Sequence, residues 1–145
     1  MGNYKDLVKR PPTYLMHKPI VAVNDYDKID GIYADDTDVV ALSIGQAQYD
    51  PAEISVKIWR HTGERWSRQS EEMPLHRALD TSILTIASFM TDVTAKYPLT
   101  SLREEIVQEE RVEEIIKYYE KNQNTLKPRL EELKRILDKF LAKTK

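Results

Sequence analysis

Residues 39–61 read VVALSIGQAQYDPAEISVKIWRH, and this stretch decides the fold. Val40, Leu42 and Ile44 alternate with Ala41, Ser43 and Gly45; beyond Asp50-Pro51, Ile54, Val56 and Ile58 alternate again. A period of two on both sides of a Pro-containing turn predicts two antiparallel strands, 39–49 and 53–61. One face of the first is apolar. The other, Ala41, Ser43, Gly45 and Ala47, is small enough for another element to approach closely.

Working outward, Ile20 to Val23 is a short run rich in β-branched residues and predicts a preceding strand. On the other side, Thr62-Gly63 turns the chain and 64–70 is expected as the fourth strand. The favoured loop is three residues long, His61-Thr62-Gly63, with Gly63 left-handed. It pairs Arg60 with Glu64, Ile58 with Trp66 and Trp59 with Arg65, avoiding two arginines face to face. Short successive connections imply an antiparallel meander.

Helices follow. Pro74 suits a first helical turn, and Leu75, Leu79, Ile83, Ile86 and Met90 recur at helical spacing. Leu84, Ala87 and Phe89 make the opposite side apolar too, so the helix over 74–91 is expected buried against the sheet. Ser101 and Glu104 have capping-box spacing and predict a helix from 101 to 121. Asn122-Gln123-Asn124 interrupts it. Leu126, Leu130, Leu133, Leu137 and Phe140 or Leu141 then mark a last helix to residue 143. The fold class is α+β: an antiparallel meander of about four strands, one buried helix packed on it, and a C-terminal helical hairpin. The organisation reads as a single domain over 1–145, with a tail over 1–18, the sheet over 19–70, the helix over 74–91 and the hairpin over 101–143.

Composition narrows the function classes. The chain has 145 residues, 41% hydrophobic and 32% charged, with net charge −2. One core suffices at this length. Without cysteine there is no disulfide, thiolate site or cysteine nucleophile. No signal peptide or membrane span is read, so a cytoplasmic location without membrane partners is expected. Charge is segregated: residues 19–52 sum to −6, while residues 57–68 hold four cations against Glu64. No continuous basic field exists, which argues against nucleic acid as a partner.

The segments His17-Lys18-Pro19-Ile20, 24–34 (NDYDKIDGIYA) and 58–80 (IWRHTGERWSRQSEEMPLHRALD) resemble a bacterial family of small uncharacterised proteins, a domain of unknown function. The resemblance covers residues 17–91. It implies no activity and carries over no functional residue.

The densest chemistry lies in that last segment: Trp59, Arg60, His61, Arg65, Trp66, Arg68, His76 and Arg77. Guanidinium groups grip carboxylate or phosphate bidentately. His76 and Arg77 stand in a helix first turn, where positive charge is unfavourable unless an anion lies near. The plainer alternative is a solubilised surface hairpin. Asp25, Asp27, Asp30 and Gly31 miss the calcium-loop spacing by one position, and His17, His61 and His76 have no zinc spacing. With four glycines, at 2, 31, 45 and 63, no phosphate-binding loop can be written. No cofactor and no metal are therefore expected.

Three functions compete. The first is a binding protein for an anionic small molecule or a protein partner. The second is a small hydrolase on a phosphorylated or carboxylated substrate, with His61 or His76 as acid or base. The third is single-stranded nucleic-acid binding with Trp59 and Trp66 as stacking platforms. Surplus apolar surface on the hairpin also leads to the expectation of a homodimer.

Overall fold

The computed structural model describes residues 10–92, 94 and 98–144. It holds an antiparallel four-stranded sheet, a helix running straight on from the last strand, and a C-terminal pair of helices. The chain divides into two compact units, the first ending at Thr81 and the second beginning at Ser82.

In the first unit β1 (Lys18–Asn24), β2 (Val39–Gln46), β3 (Ile54–Arg60) and β4 (Glu71–Pro74) follow one another in the sheet in chain order. Ser43 faces Lys57, which faces Glu72; Ala41 faces Trp59; Gly45 faces Ser55. Directly opposed residues share a face. One face therefore carries Ala41, Ser43, Gly45, Ser55, Lys57, Trp59 and Glu72. The other carries Val21, Val23, Leu42, Ile44, Val56 and Ile58. Burial favours the small, polar face: Ala41, Ser43, Ser55 and Trp59 are buried, whereas Val21, Val23, Ile44 and Ile54 are exposed. His17 lies on this face with its ring fully buried against Ser43, Ser55 and Trp59. The expected tail over 1–18 is corrected there. Residues 1–9 lie outside the described residues, but His17 belongs to the core and Lys18 opens β1.

The fourth strand also differs from expectation. Residues 64–70 form a loop, and β4 is Glu71–Pro74, with Ile58 opposite Glu71 and Ser55 opposite Pro74. Gly63 does take a positive φ of 102°. The register, however, brings His61 rather than Ile58 opposite Trp66. The cause is hydroxyl competition. Thr62 Oγ1 accepts from the Glu64 and Arg65 N–H groups, Ser67 Oγ from Gln69 N–H, and Ser70 Oγ from Arg60 N–H. These bonds satisfy backbone donors that a strand would have paired.

Helix α1 (Leu75–Phe89) begins directly after Pro74, which has no N–H to lose. It is less buried than its apolar circumference suggests: Ala87 is buried, and Leu79 is 65% exposed. In the second unit the capping-box expectation fails. The Glu104 carboxylate instead accepts from Thr100 Oγ1 at 2.6 Å and from Leu99 N–H at 2.6 Å. Arg103 has φ 59°, a left-handed turn that no helix tolerates. Helix α2 therefore starts at Val112, running Val112–Lys121 after one 3-10 turn, Glu109–Arg111. Asn122 alone separates it from α3 (Gln123–Lys143). Phe89 of α1 packs against Tyr119 of α2, ring centres 4.9 Å apart. No described helix is long and apolar enough to cross a membrane.

Gly45 tests the close approach of β1 to β2. A Cβ there would land on the Lys18 carbonyl oxygen and lie 2.7 Å from Pro19 Cα, both backbone atoms. Gly45→Ala should cost about 1–3 kcal/mol, the usual range for overpacking. A chemical denaturation midpoint unchanged from the parent would contradict the close approach.

Candidate functional site

The buried sheet face is wired by a directed chain of hydrogen bonds. Trp59 Nε1 donates to Ser43 Oγ at 2.8 Å, and His17 Nε2 lies 2.9 Å from the same oxygen. On the other side of the ring, His17 Nδ1 is 3.0 Å from Ser55 Oγ, and Ser55 donates to Glu72 Oε2 at 2.7 Å. Gln48 N–H donates to that carboxylate oxygen at 3.0 Å. Because Ser55 gives its proton to Glu72, its oxygen must accept from His17 Nδ1–H. With the ring neutral, as burial favours, Nε2 is the bare acceptor for the Ser43 hydroxyl, while Nδ1 also lies 3.4 Å from Glu72 Oε2. Every buried donor has an acceptor, as a dry polar cluster requires.

Burial holds the His17 pKa below its ordinary value, outweighing the upward pull of Glu72. His61 is lowered by burial as well. At Glu72 burial pushes upward, but the hydrogen bonds from Ser55, Gln48 and His17 prevail and hold its carboxyl below the ordinary range. The sequence of contacts Glu72, His17, Ser43 imitates an acid–histidine–serine triad. Yet Ser43 is 3% exposed and His17 fully buried, so no substrate can reach the hydroxyl. The cluster is structural. Sequence reading missed it because its members, His17, Ser43, Ser55 and Glu72, come from four separate segments.

An aromatic ladder leads from this cluster to the surface. Trp59 meets His17 edge-on at 5.7 Å and Trp66 at 5.3 Å; Trp66 meets His61 at 4.9 Å. Such contacts each contribute about 0.5–1.5 kcal/mol beyond area burial. Lys57 Nζ lies 4.1 Å from the Trp59 ring centre. The 61–70 loop is closed around Trp66 by Thr62 N–H to Arg65 O at 2.9 Å and Ser67 N–H to Arg60 O at 2.8 Å. His61 Nδ1 accepts from Gly63 N–H at 2.9 Å, which agrees with a neutral ring.

The structure sorts the eight site residues expected from sequence. Arg65, Trp66 and Arg68 come together, lining a cavity of about 350 Å³ with Thr62, Ser67 and Gln69. Trp59 is only 1% exposed and supports Trp66 from beneath. His61 is buried behind the same ring. Arg60 is taken by carboxylates, 2.6 Å from Asp38 and 2.9 Å from Glu71. It lines a different cavity of about 580 Å³, with Tyr26, Tyr33 and Asp36. His76 and Arg77 are exposed in the first turn of α1 and line neither cavity. Among the described residues, Arg65, Arg68 and Arg77 make no ion pair. No group of three His, Asp or Glu side chains among the described residues could hold a metal ion.

Ser43→Ala removes the partner of both Trp59 Nε1 and His17 Nε2. Each stranded buried group costs about 1–3 kcal/mol. A variant as stable as the parent in urea would contradict the wiring. Acid should also destabilise the fold. His17 and His61 have lowered pKa values when folded, so the unfolded chain binds more protons once pH drops below the ordinary 6.5. Glu72 adds a loss of the same sign as pH falls below its ordinary 4.5. The melting temperature should therefore fall from about pH 7 to pH 5 and fall further below pH 4.5. A flat or rising profile would contradict the assigned neutral histidines.

No curated protein and no solved structure matches the chain. A family model described as a family of unknown function, DUF6530, matches residues 9–115, which include His17, all four strands, the Trp66 loop and α1. The chain belongs to this family of unknown function.

Proposed function

We propose that this chain is a binding protein that takes an anionic ligand in the Trp66 loop, with Arg65 and Arg68 as the gripping groups. The observation that carries this reading is the pairing of two guanidinium groups, neither in an ion pair among the described residues, around one cavity. The cavity also offers the hydroxyls of Thr62 and Ser67 and the Gln69 amide. Its volume of about 350 Å³ falls at the small end of the range for small-molecule sites. Trp66 gives a flat apolar wall held in place by Trp59 and His61. A phosphate or carboxylate on a compact body matches this lining, because both accept two parallel N–H bonds from one guanidinium.

The competing readings have less support. Hydrolysis needs an accessible base beside the bound substrate; His61 is buried with Nδ1 already accepting from Gly63 N–H, and His76 is exposed but lines neither cavity. Stacking on single strands needs exposed rings, and Trp59 is buried.

Calorimetric titration with inorganic phosphate and pyrophosphate tests the proposal. The expected result is saturable binding tighter than millimolar, weakened about tenfold or more by Arg65→Ala or Arg68→Ala, as for loss of a charge-assisted hydrogen bond. Binding weaker than millimolar, or equal binding by an Arg65→Ala/Arg68→Ala double variant, would overturn it.

A further inference from the structure

Helix α3 has 21 residues and spans about 30 Å. None of its residues is buried. Its apolar positions nevertheless follow a strict order: Leu126, Leu130, Leu133, Leu137 and Phe140 alternate steps of four and three. That spacing is the a/d seam of a coiled coil. Leu133, Leu137 and Phe140 are all more than 40% exposed, the last 59%. Ile136 and Leu141 widen the stripe at the C-terminal end and are exposed as well. A helix gains most of its stability in a protein by burying such a stripe.

The charges bordering the seam say what kind of surface would cover it. Positions flanking an a/d seam set partner choice through interhelical ion pairs. Here they are Lys127, Arg129, Lys134, Ile136, Leu141 and Lys143: four cations, two apolar residues and no acid. The acids of α3, Glu131, Glu132 and Asp138, all stand away from the seam. There Glu132 pairs with Arg135 and Asp138 with Lys134. The Lys134–Asp138 contact is exposed and weak, so Lys134 can turn to a partner.

A second copy fits this border poorly. In a parallel pair Arg129 would face Lys134 of the other copy. In the antiparallel register that pairs Leu130 with Phe140 and Leu133 with Leu137, Lys134 would meet its own counterpart and Arg129 would meet Lys143. Both arrangements set like charges together, the repulsive element that rejects a wrong partner. The homodimer expected from surplus apolar surface is therefore disfavoured at this seam. The family match ends at residue 115, so α3 lies outside the matched residues.

We propose that α3 is a docking helix for another protein, and that its occupant is an amphipathic helix with an apolar seam bordered by Glu or Asp. The helix would lie along the seam, whose first positions, Leu126 and Leu130, are half-buried and whose later ones, Leu133, Leu137 and Phe140, are exposed, with its acids meeting Lys127, Lys134 and Lys143. This proposal is independent of the Trp66 loop.

The test uses the full chain and two synthetic 21-residue peptides. Both carry leucine at every a and d position; one has Glu at all flanking positions, the other Lys. Fluorescence anisotropy should show the Glu peptide binding about tenfold or more tighter than the Lys peptide, with the preference fading in high salt. Leu133→Asp with Leu137→Asp should abolish binding. A Lys127→Glu, Lys134→Glu, Lys143→Glu variant, which leaves the apolar seam intact, should reverse the preference. Circular dichroism melts would check that both variants fold. Equal affinity for the two peptides, no binding of either, or no reversal by the charge variant would overturn the proposal. So would light scattering that gives a dimer dissolved by the leucine substitutions, since a second copy would then hold the seam. Leu137-dependent binding to vesicles of equal parts phosphatidylcholine and phosphatidylserine, tighter than to the Glu peptide, would likewise overturn it in favour of a membrane surface.

Discussion

Everything in the first unit hangs on one imidazole lying on a bare patch of sheet. His17 can be buried between Ser43 and Ser55 only because β2 and β3 present Ala41, Ser43, Gly45 and Ser55 there, with no bulky side chain to hold it off. Burial favours the neutral ring, which can donate to one serine and accept from the other. The polar face is consequently drier than the apolar one, the reverse of what alternation on a half-buried sheet usually gives.

That cluster also explains the order of the surface loop. The Trp59 indole is held at its nitrogen by Ser43 and pressed at its edges by His17 and Trp66. Trp66 in turn is held by His61, and hydroxyls of Thr62, Ser67 and Ser70 absorb the backbone donors of the intervening residues. The loop is thus tied to the core by ring contacts and hydrogen bonds as well as through its ends.

Much of the fold was legible in short-range pattern. The alternation in 39–46 and 54–60 placed β2 and β3, and Gly63 carried its own signal for positive φ. Pro74 followed by an apolar 3.6-residue period marked the start of α1, and the four-three leucine spacing marked α3. The candidate site was legible only as a list. Eight residues of suitable chemistry stood close in sequence. Nothing in that list told Arg60, consumed by Asp38 and Glu71, from Arg65 and Arg68, which make no ion pair among the described residues.

The sequence by itself determined the class of the segments that became β1, β2, β3, α1 and α3, because helix and strand periods are properties of neighbours a few residues apart. It also determined the basic border of α3, which needs only a helical period to be seen. Tertiary structure alone decided the fate of the polar residues. Ser101 and Glu104 had the spacing of a helix start, but Thr100 and Leu99 claimed the carboxylate and Arg103 turned left-handed. Residues 64–70 had the composition of a strand, but three hydroxyls captured the backbone donors a ladder needs. His17 looked like part of a tail and became a centre of the core, because Ser43, Ser55 and Glu72, up to 55 residues away, converge on it. A hydrogen bond is settled by which partners arrive within about 3 Å, and sequence spacing does not carry that information across the chain.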